Sequence, residues 1–293
     1  MKQKIEIIGV PIDLGQTHRG VEMGPAAIRY AKLLTRLQNL GFSVTDKGNI
    51  QVPVRDSVPE ASLVEEIRRA CESAYQAAAD AVRENCKPIF LGGDHSIAIG
   101  TVGGVTHDEP AGLIWVDAHG DFNTPEISDS GNIHGMPLAI LTGNGLPELV
   151  NVGRKGPKVK PEDVVVIGVR DLDRREKQNL KESGVTVFTM RDIDEEGISV
   201  VARKALKQLD HLHRIHVSLD IDSLDPIEAP GVGTPVNGGL TSREAHLLME
   251  IIADSEQLTS MDIVEINPII DHQNQTAKIA VDLALSLFGS RIF

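Results

Sequence analysis

Residues 112–121 read Gly112-Leu113-Ile114-Trp115-Val116-Asp117-Ala118-His119-Gly120-Asp121, an apolar run that passes directly into D-x-H-x-D. A short continuous apolar run is what a strand buried on both faces looks like, and such strands belong to parallel sheets covered by helices. Side chains alternate along an extended chain. Continued extension past Val116 therefore places Asp117, His119 and Asp121 on one side, at the end of a buried strand. Two carboxylates and an imidazole make a poor core and a good cradle for a divalent cation.

Working outward, eight aliphatic runs read as strands: 4–11, 42–46, 88–91, 112–116, 164–169, 185–189, 214–219 and 261–266. Helix-like stretches lie between most of them. Residues 26–40 follow Gly24-Pro25, a helix-start signal, and 61–85 are Ala-rich with interspersed charge. Segments 199–209 and 242–253 are amphipathic, and Thr241 with Glu244 forms a capping-box pattern. Alternating β and α predicts a parallel sheet with helices on it. The pattern alone fits an open doubly wound sheet or a closed barrel, and both bind ligands at the C-terminal ends of their strands. The loops 122–133 and 226–239 are rich in Gly, Pro, Ser, Thr and Asn. Both follow strands ending in acids, and long irregular loops in a compact domain are usually functional.

Composition narrows the class. With 293 residues and no visible linker, the chain reads as a single domain spanning 1–293. Hydrophobic residues make up 41% but aromatics only 3%, so the core must be mainly aliphatic. The formal charge of -13, with no sizeable basic patch, argues against nucleic acid as a partner. No apolar run approaches the roughly 20 residues of a membrane span. The chain enters a strand at Lys4 with no signal-like segment before it. Cys71 and Cys86 lack metal-type spacing and are expected to be reduced thiols, which points to the cytoplasm.

More acids and imidazoles stand at the other strand ends. Gly92-Gly93-Asp94-His95-Ser96 follows the third run, Asp220-Ile221-Asp222 the seventh, and Glu265 lies in the eighth. In any parallel architecture these ends share one edge, so His95, Asp117, His119, Asp121, Asp220 and Asp222 can converge. Two His and four Asp are too many for one tetrahedral ion. Imidazole with abundant carboxylate favours Mn²⁺ over structural Zn²⁺. Two metals roughly 3.5–4 Å apart would activate a water. Taken singly, each acid is more simply a cap or turn, and Asp225-Pro226 is read as a turn. Together they would be costly buried charges without a cation.

Three segments carry a family resemblance: Leu91-Gly92-Gly93-Asp94-His95-Ser96, Asp117-Ala118-His119-Gly120-Asp121, and Ser218-Leu219-Asp220-Ile221-Asp222-Ser223-Leu224-Asp225-Pro226. In this order and spacing they resemble the signatures of the arginase/agmatinase ureohydrolase family, and the likeness runs over nearly the whole chain. It implies an α/β fold with an open, mainly parallel eight-stranded sheet in a three-layer α/β/α sandwich. It implies two manganese ions per subunit, one on His95 and Asp121, the other on His119 and Asp222, bridged by Asp117 and Asp220.

The segments 121–125 and 130–137 resemble the arginase branch rather than the agmatinase branch. The likeness implies L-arginine as substrate, with L-ornithine and urea as products. Asn123 and Ser130 would bind its α-carboxylate, with Asn132 in the same loop, and Asp173 its α-amino group. Thr234 would line the pocket, and Glu265 would pair with the guanidinium. Asp121 would transfer the proton, and His134 would shuttle protons or assist the leaving group. A homotrimer or homohexamer is implied. The alternatives are hydrolysis of agmatine or of another guanidino or formimino acid. A mononuclear zinc deacetylase fits the six-residue set less well, and a non-catalytic scaffold is disfavoured because every motif residue is present.

Overall fold

The structure is a computed structural model that describes residues 2–291. Eight strands form one sheet: β1 (Lys4–Val10), β2 (Ser43–Asn49), β3 (Cys86–Gly92), β4 (Gly112–Val116), β5 (Val164–Val169), β6 (Thr186–Thr189), β7 (Ile215–Asp220) and β8 (Leu258–Val264). Their order is β2-β1-β3-β8-β7-β4-β5-β6 and every pairing is parallel. The sheet is open, not a barrel. Eleven α-helices connect it: α1 (Gly24–Tyr30), α2 (Leu33–Asn39), α3 (Leu63–Arg83), α4 (Ala98–Val105), α5 (Pro137–Leu141), α6 (Pro147–Val150), α7 (Arg174–Ser183), α8 (Met190–Glu196), α9 (Ile198–Gln208), α10 (Ser242–Asp254) and α11 (Gln275–Leu287).

Alternation along the strands makes the three layers. Ile114, Val116, Val165 and Ile167 pack with residues of α1, α2 and α8 to α11 on one face. Leu113, Trp115, Val164 and Val166 pack with α4, α5 and α7 on the other, where Ile8, Val10 and Phe90 meet α3 and α6. Burial on both faces removes alternating polarity, which is why the runs look uniformly aliphatic.

The runs at 112–116 and 164–169 match the observed strands. The runs read over 42–46 and 88–91 are longer strands, Ser43–Asn49 and Cys86–Gly92, and two further expectations need correction. The helix read over 26–40 is two helices, because Lys32 adopts a left-handed backbone (φ 67°) between them. The strand read over 261–266 runs instead from Leu258 to Val264. It stops because Glu265 also has positive φ (64°), and Ile266 beyond it makes an isolated antiparallel bridge to Val232.

Topology places the site. Strands β3, β8, β7 and β4 are consecutive at the centre, and their C-terminal ends lie level: Leu91 pairs with Ile263, Asp220 with Val264, and Val116 with Leu219. Within this group the neighbours β7 and β4 send the chain to opposite sides, β7 on to β8 and β4 on to β5. Such a switch point is where open α/β sheets bind ligands.

Candidate metal centre

The β3 end delivers His95. Gly93 lies so close to the neighbouring backbone that a Cβ there would stand 1.8 Å from the Ile12 carbonyl oxygen, so only glycine fits. Asp94 accepts from the amides of Gly15 (2.7 Å) and Ser96 (3.0 Å) and from the Ser96 hydroxyl. It is a cap that holds the turn, as the simpler reading of one acid at a strand end supposes. His95 stacks on Trp115, with ring centroids 4.0 Å apart. Its Nε2 meets Ser218 Oγ at 2.8 Å, which leaves Nδ1 to face the acids. Nδ1 lies 3.0 Å from Asp121 Oδ2 and 3.2 Å from both Asp117 Oδ2 and Asp220 Oδ2.

The β4 end behaves differently from the extended ledge anticipated for D-x-H-x-D. The strand stops at Val116, and the chain turns. Asp117 Oδ1 accepts from the His119 amide at 2.7 Å, and Asp121 has φ 49°. Small polar side chains tolerate such local turns and left-handed backbones. The three side chains still converge, but by a turn and not by alternation. Trp115 Nε1 donates to Asp117 Oδ2 at 2.9 Å. His119 Nδ1 lies 3.0 Å from Asp222 Oδ2 and 3.4 Å from Asp117 Oδ1.

Two overlapping groups result: His95, Asp117 and Asp220, then Asp117, His119 and Asp222, with candidate donor atoms inside each group within 4.8 Å of one another. Asp117 belongs to both. Asp121 adjoins the first group through Oδ2. His95 Nδ1 and Asp121 Oδ2 are buried and have no hydrogen-bond partner among the described residues. Burial, then the charge of Asp117, pushes Asp121 up to about 7. Burial, then Asp222 and Asp117, raises Asp220 well above the ordinary carboxylate value. Burial works to lower the two imidazoles, yet the surrounding carboxylates raise both His95 and His119. One cause runs through these shifts. Four carboxylates face two imidazoles in a desolvated space, an excess of negative charge that divalent cations would balance. The residues fit a metal pair. A third group, Glu6, Glu84 and Cys86, lies away from this edge, and its Glu6 is paired with Lys47 at 3.1 Å.

A cavity of about 140 Å³ opens onto this floor. Asn123, Ser130, Asp173 and Thr234 line it with His119, Asp121 and His134, so most residues expected to touch substrate are brought together. Asn123 Nδ2 donates to Asp173 at 3.1 Å, and Thr234 Oγ1 donates to Asp222 Oδ2 at 3.0 Å. Asn132 is not among the lining residues; its amide donates to Ser130 Oγ at 3.2 Å. Glu265 is nearly fully buried, 1% exposed, and already engaged. Its Oε1 accepts from the His95 amide and meets His134 Nδ1, both at 2.9 Å, and its Oε2 accepts from Gln16 Nε2 at 2.7 Å. Burial works to lower His134, and the Glu265 charge reverses this, leaving it at about 9.

Several supporting residues were not singled out from the sequence. Arg170 donates to the carbonyls of Asp222 (2.7 Å), Ser223 and Leu224 (both 3.1 Å) and Val236, which locks the turn after β7 to the 226–239 loop. Glu176 accepts from the amides of Phe122 (2.9 Å) and Asp173 (3.2 Å), tying the two pocket loops together. The period-2 pattern of β7, with Ser218 two residues before Asp220, was the available signal for Ser218.

A parallel α/β sandwich with overlapping His/Asp groups at its switch point has the architecture of a metal-dependent hydrolase. The comparisons narrow this to one family. The Arginase family model matches residues 3–289, and the chain belongs to that family. It is 48% identical to the arginase of Bacillus subtilis (strain 168) over 296 residues, covering all of both chains. Among solved structures, the arginase of Bacillus caldovelox superposes with a TM-score of 0.96 at 48% identity, covering 100% of each chain. The Entamoeba histolytica arginase, solved in complex with L-ornithine, superposes with a TM-score of 0.90 at 33% identity, covering 99% of each.

Proposed function

We propose that this chain is an arginase, hydrolysing L-arginine to L-ornithine and urea at a pair of manganese ions. The observation that carries the reading is the sharing of Asp117 between two His/Asp groups at the floor of a small pocket. Full-length identity of 48% to a protein named arginase supports the choice of substrate. His95 and Asp121 would hold one ion, and His119 and Asp222 the other, with Asp117 and Asp220 between them. When bound, such a pair supplies a nucleophile from water at neutral pH and positive charge for the transition state.

The chain's own residues do the rest. Asn123 and Ser130 bind the α-carboxylate end of the substrate, with Asn132 holding Ser130 through its amide, Asp173 binds the α-amino group, and Thr234 closes the wall. Glu265, held by the His95 amide, His134 and Gln16, presents negative charge to the cationic guanidinium. Asp121 takes a proton from the attacking water and passes it to the departing nitrogen. His134 exchanges further protons between the site and solvent or assists the leaving group. The binding of an α-carboxylate separates this reading from agmatine hydrolysis, because donors left unpaired disfavour the analogue.

No helix among the described residues is long and apolar enough to cross a membrane. Both cysteines are free, in keeping with a reducing cytoplasm. A single catalytic domain assembled as a homotrimer or homohexamer completes the proposal, and sedimentation analysis would test the assembly. The decisive assay is urea release from L-arginine and from agmatine, with and without added Mn²⁺. Mn²⁺-dependent release from arginine is expected, and release from agmatine alone would overturn the substrate choice.

A further inference from the structure

Gln16 is 1% exposed and sits beside Glu265. Its Nε2 donates to Glu265 Oε2 at 2.7 Å, which fixes the orientation of the amide, since a flip would set oxygen against carboxylate oxygen. Its other atom, Oε1, is then a buried acceptor, and it has no partner among the described residues. Leaving an acceptor desolvated and unpaired is unfavourable.

The position is rigid. The flanking Gly15 is pinned on both sides, its amide to Asp94 Oδ2 at 2.7 Å and its carbonyl to the His134 amide at 3.0 Å. On the other side lies Gly233, beside the pocket residue Thr234. A Cβ at Gly233 would stand 3.1 Å from Gln16 Oε1 and 3.4 Å from Glu265 Oε2. Glycine there leaves room next to the amide and the carboxylate together.

Charge explains why an amide stands here. A Lys or Arg donor would pair with Glu265 and cancel the charge meant for the guanidinium. Glutamine steadies the carboxylate and adds no charge, and its free oxygen suits a ligand that brings several N–H donors. We infer that Gln16 Oε1 accepts a hydrogen bond from a guanidinium N–H of the substrate, next to Glu265, so that Gln16 is a substrate-recognition residue that selects the guanidino group.

This rests on the arginine-hydrolysing reading, and the test keeps the two apart. Wild-type protein loaded with Mn²⁺ must first release urea from L-arginine; failure there overturns the activity and not the Gln16 assignment alone. Gln16→Met keeps the length and removes both polar atoms. It is expected to lose about tenfold or more in kcat/KM for L-arginine, as for a hydrogen bond to a charged group. Calorimetric binding of L-ornithine, which has the same amino-acid end and no guanidinium, should hardly change. If the Met variant does not fold, Gly233→Ala crowds the same oxygen and should weaken arginine more than ornithine. Unchanged kcat/KM for arginine, or equal losses of arginine and ornithine affinity, would overturn the inference.

Discussion

Strand β7 contributes to two buried His/Asp clusters, and only one has the makings of an active site. The inner cluster joins His216 and Ser260 (2.8 Å), His216 and Asp262 (3.2 Å), and Thr101 of α4 with Asp262 (2.7 Å), all of them fully buried. The outer cluster is the candidate metal centre at the strand ends. Buried atoms without a hydrogen-bond partner among the described residues occur in both: His216 Nε2 and Asp262 Oδ1 in the inner, His95 Nδ1 and Asp121 Oδ2 in the outer. An orphaned atom alone therefore does not mark a site. Charge balance and access do. The inner cluster sets one carboxylate against one imidazole with hydroxyls around them, and its residues do not line the pocket. The outer sets four carboxylates against two imidazoles and opens to the pocket.

The comparison breaks most visibly at Asp121. Asp121→Asn should cost about 10²–10⁴-fold in turnover, the usual worth of a positioned proton carrier. Near-normal urea release would remove Asp121 from proton transfer. Next, Asp262→Ala should destabilise folding by about 3–5 kcal/mol, because it leaves His216 and Thr101 without their buried partner. In metal-free protein Asp220→Asn should do the opposite and raise Tm, since it removes a carboxylate that burial, then the charges of Asp222 and Asp117, make costly to ionise. Denaturant titration of the two variants checks this, and the same sign for both would erase the distinction between the clusters. Chelation should lower Tm by several degrees in wild type through loss of bound-state stabilisation. A scan with and without chelator in which Tm does not move would argue against a balanced metal pair. The smallest effect is at the rim. Asn123→Ala should raise KM for L-arginine about tenfold, as for loss of a hydrogen bond to a charged group, and leave any slow agmatine turnover alone. Equal losses on both would remove carboxylate recognition from Asn123.

The sequence revealed what is local and missed what is distant. The limits of β4 and β5 were legible because both faces of those strands are apolar. The acids at strand ends were legible because charge breaks an aliphatic run abruptly. Their convergence followed from parallel topology alone. The closed barrel was set aside only by resemblance to a family. Gln16 and Glu265 are 249 positions apart and Thr101 and Asp262 are 161 apart, and no periodicity reports such pairs. The expectation of an extended D-x-H-x-D failed for a related reason. Whether the chain continues straight past Val116 depends on a hydrogen bond between Asp117 and the His119 amide, which competes locally with strand geometry.

The left-handed backbones at Asp121 and Glu265 have a bearing on protein engineering. Saturation libraries at these positions would confound two losses, chemistry and backbone accommodation. Asn tolerates this conformation well and β-branched residues poorly. At position 121, Asn is thus an informative replacement and Val or Ile an ambiguous one. At position 265, whose conformation ends β8 and turns the chain toward Val232, a β-branched replacement would favour lengthening the strand. Directed evolution of this scaffold toward another guanidino compound would do better to vary Asn123, Ser130 or Thr234, on the pocket lining, than either of these two hinges.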